Sequence, residues 1–272
     1  MKTGEKKLIY YFKFPIMAFW GALATGRYWN KVLMAEFNMK SGCMKQNDGF
    51  LKIRTHQGIF NIRNITSDLV FASPAFEYFD IKFLTKRIQD DLVNTRKNLI
   101  FIDLGANFGK YSIVLGNKFK QYRNRFKIYA FEPDKILYKL FKQNIKENHL
   151  NINAYQTAIG KKKGKRKFFI DLEYGYYVDY PNGSKQAILP IDRIDNFIIV
   201  DKSINVYMKL DIEGGELEAL QGAKGLIKSA GKTVFLIEDA NLSTNIQLIK
   251  YLTRHFKFIK KISYQNSFWG RK

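Results

Sequence analysis

From Leu99 to Leu104 the chain is apolar except for Asp103, and Gly105 and Gly109 follow at once in the sequence FIDLGANFGKYSI. A short apolar run that ends in glycine reads as a strand buried on both faces, the kind found in parallel sheets. The pattern then alternates. A helix is expected over Tyr111–Phe119, a strand over Phe126–Phe131, and a helix over Asp134–Asn148. That second helix has an apolar stripe of Ile136, Leu137, Leu140, Phe141 and Ile145. Ile152–Ala158 reads as a third strand, and Val206–Leu210 and Val234–Ile237 as two more, with a helix from about Glu216 to Ser229 between those two. Such alternation requires an α/β sheet with crossover connections on its faces.

The remainder of the chain divides into two further parts. Residues 1–48 form an N-terminal aromatic and basic extension, residues 49–98 a lead-in hairpin and helix, and residues 99–272 the α/β domain. Within the extension, Leu8–Ala24 is aromatic-rich but contains Lys13 and Pro15. It is too short and too interrupted for a membrane span, which takes about 20 apolar residues. It also lacks the small-residue cleavage site of a signal peptide. Two readings stay open: a helix packed on protein, or an interfacial anchor whose aromatics and flanking Lys2, Lys6, Lys7 and Arg27 sit at lipid headgroups. Gly49–Ile65 reads as a hairpin turning at His56-Gln57-Gly58. Ser73-Pro74 then opens a helix to about Asn94, with Phe76, Phe79, Phe83, Leu84, Ile88 and Leu92 at helical spacing.

Charge narrows the partners. Lys and Arg number 46 against 24 Asp and Glu, a net charge of +22, which calls for an anionic partner without choosing among nucleic acid, membrane and phosphorylated substrate. Cys43 is the single cysteine, and His56, His149 and His255 lie far apart, which excludes a disulfide framework and a thiolate or histidine metal cluster. A reducing compartment is expected.

Acidic residues recur where strands end. Asp103 closes the first strand, Glu132 follows the second in IYAFEPD, and Asp211 and Glu213 follow a third in KLDIEGGELEALQGA. Glu238 and Asp239 end another in LIEDAN. In an open α/β sheet, ligands bind at the carboxyl ends of the strands. The glycine turn lacks the G-x-G-x-x-G spacing that cradles a pyrophosphate. Acids beside it repel phosphate and attract an ammonium or sulfonium, and a carboxylate at Glu132 suits the two hydroxyls of a ribose. Structural readings compete: a plain strand–helix turn for the glycines, a solvated carboxylate for Glu132, and complements to a helix dipole for Glu216 and Glu218.

In order and wording, FIDLGANFGKYS, YAFEPD, NIKENHLNINAYQTAIG and KLDIEGGELEALQGA resemble the FkbM family of S-adenosylmethionine-dependent methyltransferases, and GIFNIRNITSD resembles that family's lead-in hairpin. The resemblance runs from about residue 50 to the C terminus. It implies a Rossmann-like class I methyltransferase fold, with a mostly parallel central sheet flanked by helices, to which this chain adds an N-terminal helical or hairpin extension. It further implies that Asp103, Gly105, Ala106, Asn107 and Gly109 line the methionine and sulfonium part of S-adenosylmethionine. Glu132 would hold the ribose, and Asp134 with Thr157 and Ala158 would border the adenine. Asp211 and Glu213 would face the methyl group and the acceptor. Lys110 departs from the family pattern, at the expected rim of the pocket.

For an alcohol acceptor a base is required, and Asp211, Glu213 and Glu238 are the candidates; His149 and His255 read as surface or packing residues. Mg²⁺ held by Asp211, Glu238 and Asn241 is a second, less favoured option. The acceptor is expected to be hydroxylated, a glycan, glycolipid or other small molecule, selected by Asp171–Pro190, where Tyr174, Tyr176, Tyr177 and Tyr180 suit stacking on sugar faces and an ordinary packed hairpin explains them equally well. RNA is the alternative, supported by the net charge and the basic run Lys161–Lys167, which otherwise reads as a solvated hairpin turn. Against it, the strand carrying Asp211 does not continue into the N/D-P-P-Y/F sequence of base amino-group methylation. A non-enzymatic membrane-associated binding module is a third reading. The expected location is cytoplasmic, with peripheral contact at the inner face of a membrane through residues 8–24.

Overall fold

A computed structural model describes residues 44–47, 49–64, 66–171, 175–177, 185–238, 246–263 and 266–271. Residues 8–24, Tyr174, Tyr180, Asp239 and Asn241, singled out above, lie outside these. The chain divides into two compact units between Tyr78 and Phe79.

In the first unit, β1 (Met44–Asn47), β2 (Phe50–Arg54) and β3 (Ile59–Arg63) form an antiparallel sheet in that order. The expected hairpin thus gains a third strand. Leu51, Ile53, Phe60 and Ile62 are buried. Helix α1 (Thr66–Ala72), which periodicity did not suggest, follows directly. Buried Asp68 in its first turn holds Arg63 through both carboxylate oxygens, at 2.6 Å from Nη2 and 2.9 Å from Nε. The helix expected from Ser73 starts later, as α2 (Tyr78–Asn94). Ser73 Oγ accepts from the Ala75 amide, and Glu77 has φ 50°, so residues 73–77 turn instead of winding.

The second unit is built on β4 (Asn98–Leu104), β5 (Phe126–Phe131), β6 (Asn153–Tyr155), β11 (Ile204–Leu210), β12 (Lys232–Glu238), β13 (Phe256–Lys261) and β14 (Asn266–Arg271). Their order is β13-β14-β12-β11-β4-β5-β6. Strands β12, β11, β4, β5 and β6 pair in parallel, and β14 inserts antiparallel between β12 and β13. This is the Rossmann-like class I arrangement expected. Crossovers run through α3 (Lys110–Lys118), α4 (Lys135–Glu147), the pair α5 (Glu216–Gly222) and α6 (Lys224–Ser229), and α7 (Ile246–His255). Residues 99–104 of β4 are all buried, as a central strand requires. Ile102, Met208, Leu220, Leu226 and Leu252 share one core beneath α5, α6 and α7.

Several expectations need correction. Ile136 is exposed and drops out of the α4 stripe. The helix expected over 216–229 breaks at Ala223 (φ −105°, ψ 10°). The strand expected over 152–158 ends at Tyr155; Ala158 starts β7 (Ala158–Ile159) in a second sheet, where it pairs with β10 (Lys185–Asp192). That sheet is completed by β8 (Gly164–Asp171) and β9 (Gly175–Tyr177) in the order β7-β10-β8-β9. The basic run is therefore only partly a turn, because Lys165, Arg166 and Lys167 lie in β8. Among the described residues, no helix is long and apolar enough to cross a membrane.

Candidate functional site

Strands β4 and β11 are neighbours at the point where successive crossovers leave in opposite directions, which is where a sheet of this kind opens a crevice. The glycine turn fills one side of it. Gly105 has φ 72°, and a Cβ there would fall on the carbonyl oxygen of Asp211, so only glycine lets the two backbones meet. The Asp211 amide donates to the Leu104 carbonyl at 3.4 Å. The amides of Gly105 and Ala106 both donate to the Phe131 carbonyl, at 3.1 and 3.0 Å. Gly109, with φ 93°, opens α3, and a Cβ there would overlap the Phe141 ring of α4. Asn144 Nδ2 donates to the Phe108 carbonyl at 2.8 Å. The turn is thus tied to β5, β11 and α4 together.

Two acids stitch this turn. Asp103 is buried, and its Oδ2 accepts from the Ser112 amide (3.2 Å) and hydroxyl (2.6 Å). Its Oδ1 is buried with no hydrogen-bond partner among the described residues. Burial pushes the Asp103 carboxyl up, against the opposing pull of Lys209 and Ser112. Glu132 is also buried. Its Oε2 accepts from the Asn107 amide at 2.7 Å and its Oε1 from the Asp134 amide at 2.8 Å. Burial lifts it to about 7, although the two amides favour the charged form. Asp134 caps α4 by accepting from the Leu137 amide at 2.6 Å. Asn107 adopts φ 54°, a conformation asparagine tolerates, with its Oδ1 accepting from the Phe108 amide. The Glu132 amide donates to the Tyr155 carbonyl, which brings the chain toward Thr157 and Ala158 to the same edge. The Thr157 hydroxyl donates toward backbone, with the Ala158 and Pro190 carbonyls at 3.1 and 3.2 Å.

A second group lies across the crevice. Half-buried carboxylates of Asp211, Glu213 and Glu238 bring oxygens within 4.8 Å of one another. Lys209, which the sequence reading missed, sits among them. Its Nζ lies 2.7 Å from Asp211 Oδ2 and 5.1 Å from the centre of the Tyr111 ring. Its side chain is 6% exposed against 30% for Asp211, so the lysine backs the carboxylate from inside while the carboxylate stays reachable. Burial alone would raise Asp211, but Lys209 and a hydrogen bond from Glu238 bring it below the usual range. Glu238 is pushed well up by the Asp211 charge and by burial, so it keeps its proton and donates it to Asp211. Glu213, at φ 53°, is lifted to about 8 by burial and by the charges of Asp211 and Glu216.

Two other residues differ from expectation. Glu216 is buried, and beyond any dipole role its Oε1 accepts from the amides of Ile212 (3.3 Å) and Gly214 (3.2 Å), fixing the loop that carries Glu213. Lys110, expected at a pocket rim, is buried. Three clustered carboxylates are the oxygen donors a divalent ion takes. Here the Lys209 ammonium and the Glu238 proton already balance the charge, and the proposed third ligand Asn241 lies outside the described residues.

The Methyltransferase FkbM domain matches residues 103–261. No curated protein matches the chain. Among solved structures, the chain is similar to the Pyrococcus abyssi tRNA (uracil-54, C5)-methyltransferase in complex with S-adenosyl-L-homocysteine. Identity is 10% and the TM-score 0.42, over 83% of this chain and 45% of that one. It is similar to the M. jannaschii tRNA m1G37 methyltransferase at 12% identity and TM-score 0.41, over 84% and 55%. It is also similar to a SAM dependent methyltransferase from Aquifex aeolicus at 12% identity and TM-score 0.42, over 73% and 92%. The chain thus spans about half the length of the two tRNA enzymes. With the family's sequence pattern running from the strand-end acid Asp103 through Asp211 and Glu238 to residue 261, the chain belongs to the FkbM methyltransferase family.

Proposed function

We propose that this protein transfers a methyl group from S-adenosylmethionine to a hydroxyl of a glycan or glycolipid. The observation that carries the reading is the acid-lined crevice, in which Asp211 is held ionised by Lys209 beside a glycine turn. Carboxyl groups that ionise as a positive ligand arrives favour a cationic sulfonium over a phosphate-rich cofactor. The residues fit that donor: the buried Oδ1 of Asp103 has no hydrogen-bond partner among the described residues, and the glycine at 105 lets the turn and the Asp211 backbone meet at the carboxyl edge of the sheet.

In this reading Asp103, Gly105, Ala106, Asn107 and Gly109 hold the methionine part, Glu132 the ribose, and Asp134, Thr157 and Ala158 the adenine edge. When bound, S-adenosylmethionine supplies a methyl group on positively charged sulfur, open to in-line attack. Glu213 takes the proton of the acceptor hydroxyl, a task suited to a carboxylate whose pKa lies near the working pH. Asp211 orients that hydroxyl, and Glu238 holds Asp211 in place by its proton. Mg²⁺ has no part in the reading, so full activity is expected in EDTA.

The net charge of +22 suits an acceptor at an anionic membrane face, with residues 8–24 as a peripheral contact and a cytoplasmic location. The test is transfer of labelled methyl to separated glycan, lipid and RNA fractions. Label is expected in the glycan or lipid fraction and lost in Glu213→Gln. Label in RNA alone overturns the acceptor, and no transfer with no S-adenosylmethionine binding by calorimetry overturns the activity.

A further inference from the structure

The opposite, amino edge of the same sheet holds a cleft of about 420 Å³, between the turn that follows α3 and the segment that follows α4. Lys120, Arg123, Lys127 and His149 stand at its rim, all exposed. Phe119, Phe126 and Ile128, all buried, form its floor. No lining residue is acidic. Among the described residues, none of these four basic side chains has an ion-pair partner. Arg125 nearby is different: its guanidinium is taken up by the carbonyls of Leu92, Thr95 and Lys97.

Lys120, Arg123 and Lys127, with no ion-pair partner among the described residues, repel each other around one concavity, and low-dielectric walls focus their field into it. An anion relieves that repulsion, and the apolar floor offers burial to whatever carries the anion. The volume falls within the roughly 300–1,000 Å³ of small-molecule sites. We propose that this cleft binds a phosphate-bearing small molecule or headgroup, with the phosphate at the basic rim and the apolar part on the floor. The methyl-donor crevice at the other end of β5 is lined by acids and disfavours phosphate, so the molecule keeps its cation and anion sites on opposite edges of one sheet.

The probe is inorganic pyrophosphate, titrated at constant ionic strength and followed by NMR of the histidine rings, with His149 assigned through His149→Gln. A saturable shift of His149 that leaves His255 unmoved is expected. The triple variant Lys120→Ala/Arg123→Ala/Lys127→Ala should weaken it about tenfold. Lys161→Ala/Lys162→Ala, equally basic surface elsewhere, should change it by less than about twofold. An equal, unsaturable shift of both histidines, or equal weakening by both variants, overturns the site. Competition identifies the source: displacement by ADP points to a soluble nucleotide, and displacement by phosphatidylglycerol but not phosphatidylcholine vesicles to a lipid headgroup. Displacement by neither overturns the proposal. None of these readouts uses methyl transfer, so the outcome is independent of the proposed activity.

Discussion

Glu132 and Asp211 flank the same strand, β4, at the same edge of the sheet, yet they are held in opposite ways. Glu132 has two backbone amides and, among the described residues, no ion-pair partner, and burial lifts it to about 7. Asp211 has Lys209 at 2.7 Å and stays below the usual range. Burial acts in the same direction on both, so the partner decides the charge. Asp211 carries a permanent charge that organises Glu213 and Glu238 around it. Glu132 carries a conditional one, complete only above neutral pH or when a positive ligand arrives.

The comparison breaks first at Lys209. Lys209→Met leaves Asp211 without its cation and should lower kcat/KM by roughly 10³-fold, within the range for general acid–base groups. Stability should fall by about 3 kcal/mol, at the low end for a broken ion pair because Asp211 keeps part of its hydration. Lys209→Arg should recover part of both. A folded Met variant with unchanged turnover removes Lys209 from the scheme. Next comes Glu213→Gln, with a loss of about 10²-fold at pH 8. With Glu213 near 8, wild-type kcat/KM should climb about tenfold per pH unit below 8 and level off above it, and the Gln variant should lack that climb.

Lys209 shows where reading the sequence falls short. It stands in the apolar run of β11, two residues before Asp211, and a spacing of two puts side chains on one face of an extended chain. That signal was available, but a lone lysine in a strand does not announce whether it faces solvent or a carboxylate. The apolar runs of β4, β5, β11 and β12 were legible because burial on both faces leaves little room for polar residues. The hairpin of β13 and β14 was not. Its outer strand, FKFIKK, carries lysines at exposed positions and depends on pairing with residues ten or so positions later. The split at Tyr155 escaped for a related reason: nothing local says that Ala158 and Ile159 join a different sheet. The acids at strand ends were visible as a pattern, whereas their unequal charge depends on partners distant in sequence, such as Asn107 for Glu132.

Glu132 gives the smaller and sharper effects. Glu132→Gln should weaken S-adenosylmethionine binding about tenfold at pH 8.5, the loss of one charge-assisted interaction of about 1.4 kcal/mol. The gap should narrow at pH 6, where wild-type Glu132 is itself largely neutral. Calorimetry at the two pH values checks this, and an equal loss at both would show that the charge of Glu132 does not matter.

The same group bears on stability without ligand. Its folded pKa of about 7 lies above the ordinary 4.5, so between these values the folded state holds the proton more tightly than the unfolded chain does. The stabilisation is therefore complete below about 4.5 and is lost as pH rises through 7. Wild-type Tm should fall over that window by roughly 2–4 °C for each kcal/mol lost. Glu132→Gln, neutral throughout, should show a shallower fall, with Glu213 supplying the same background in both proteins. Saturating S-adenosylmethionine should flatten the wild-type curve as well, because a cation beside Glu132 lowers its pKa and releases the proton. Identical slopes for wild type and Glu132→Gln would mean that Glu132 is already ionised in the free protein, and the contrast with Asp211 would reduce to geometry alone.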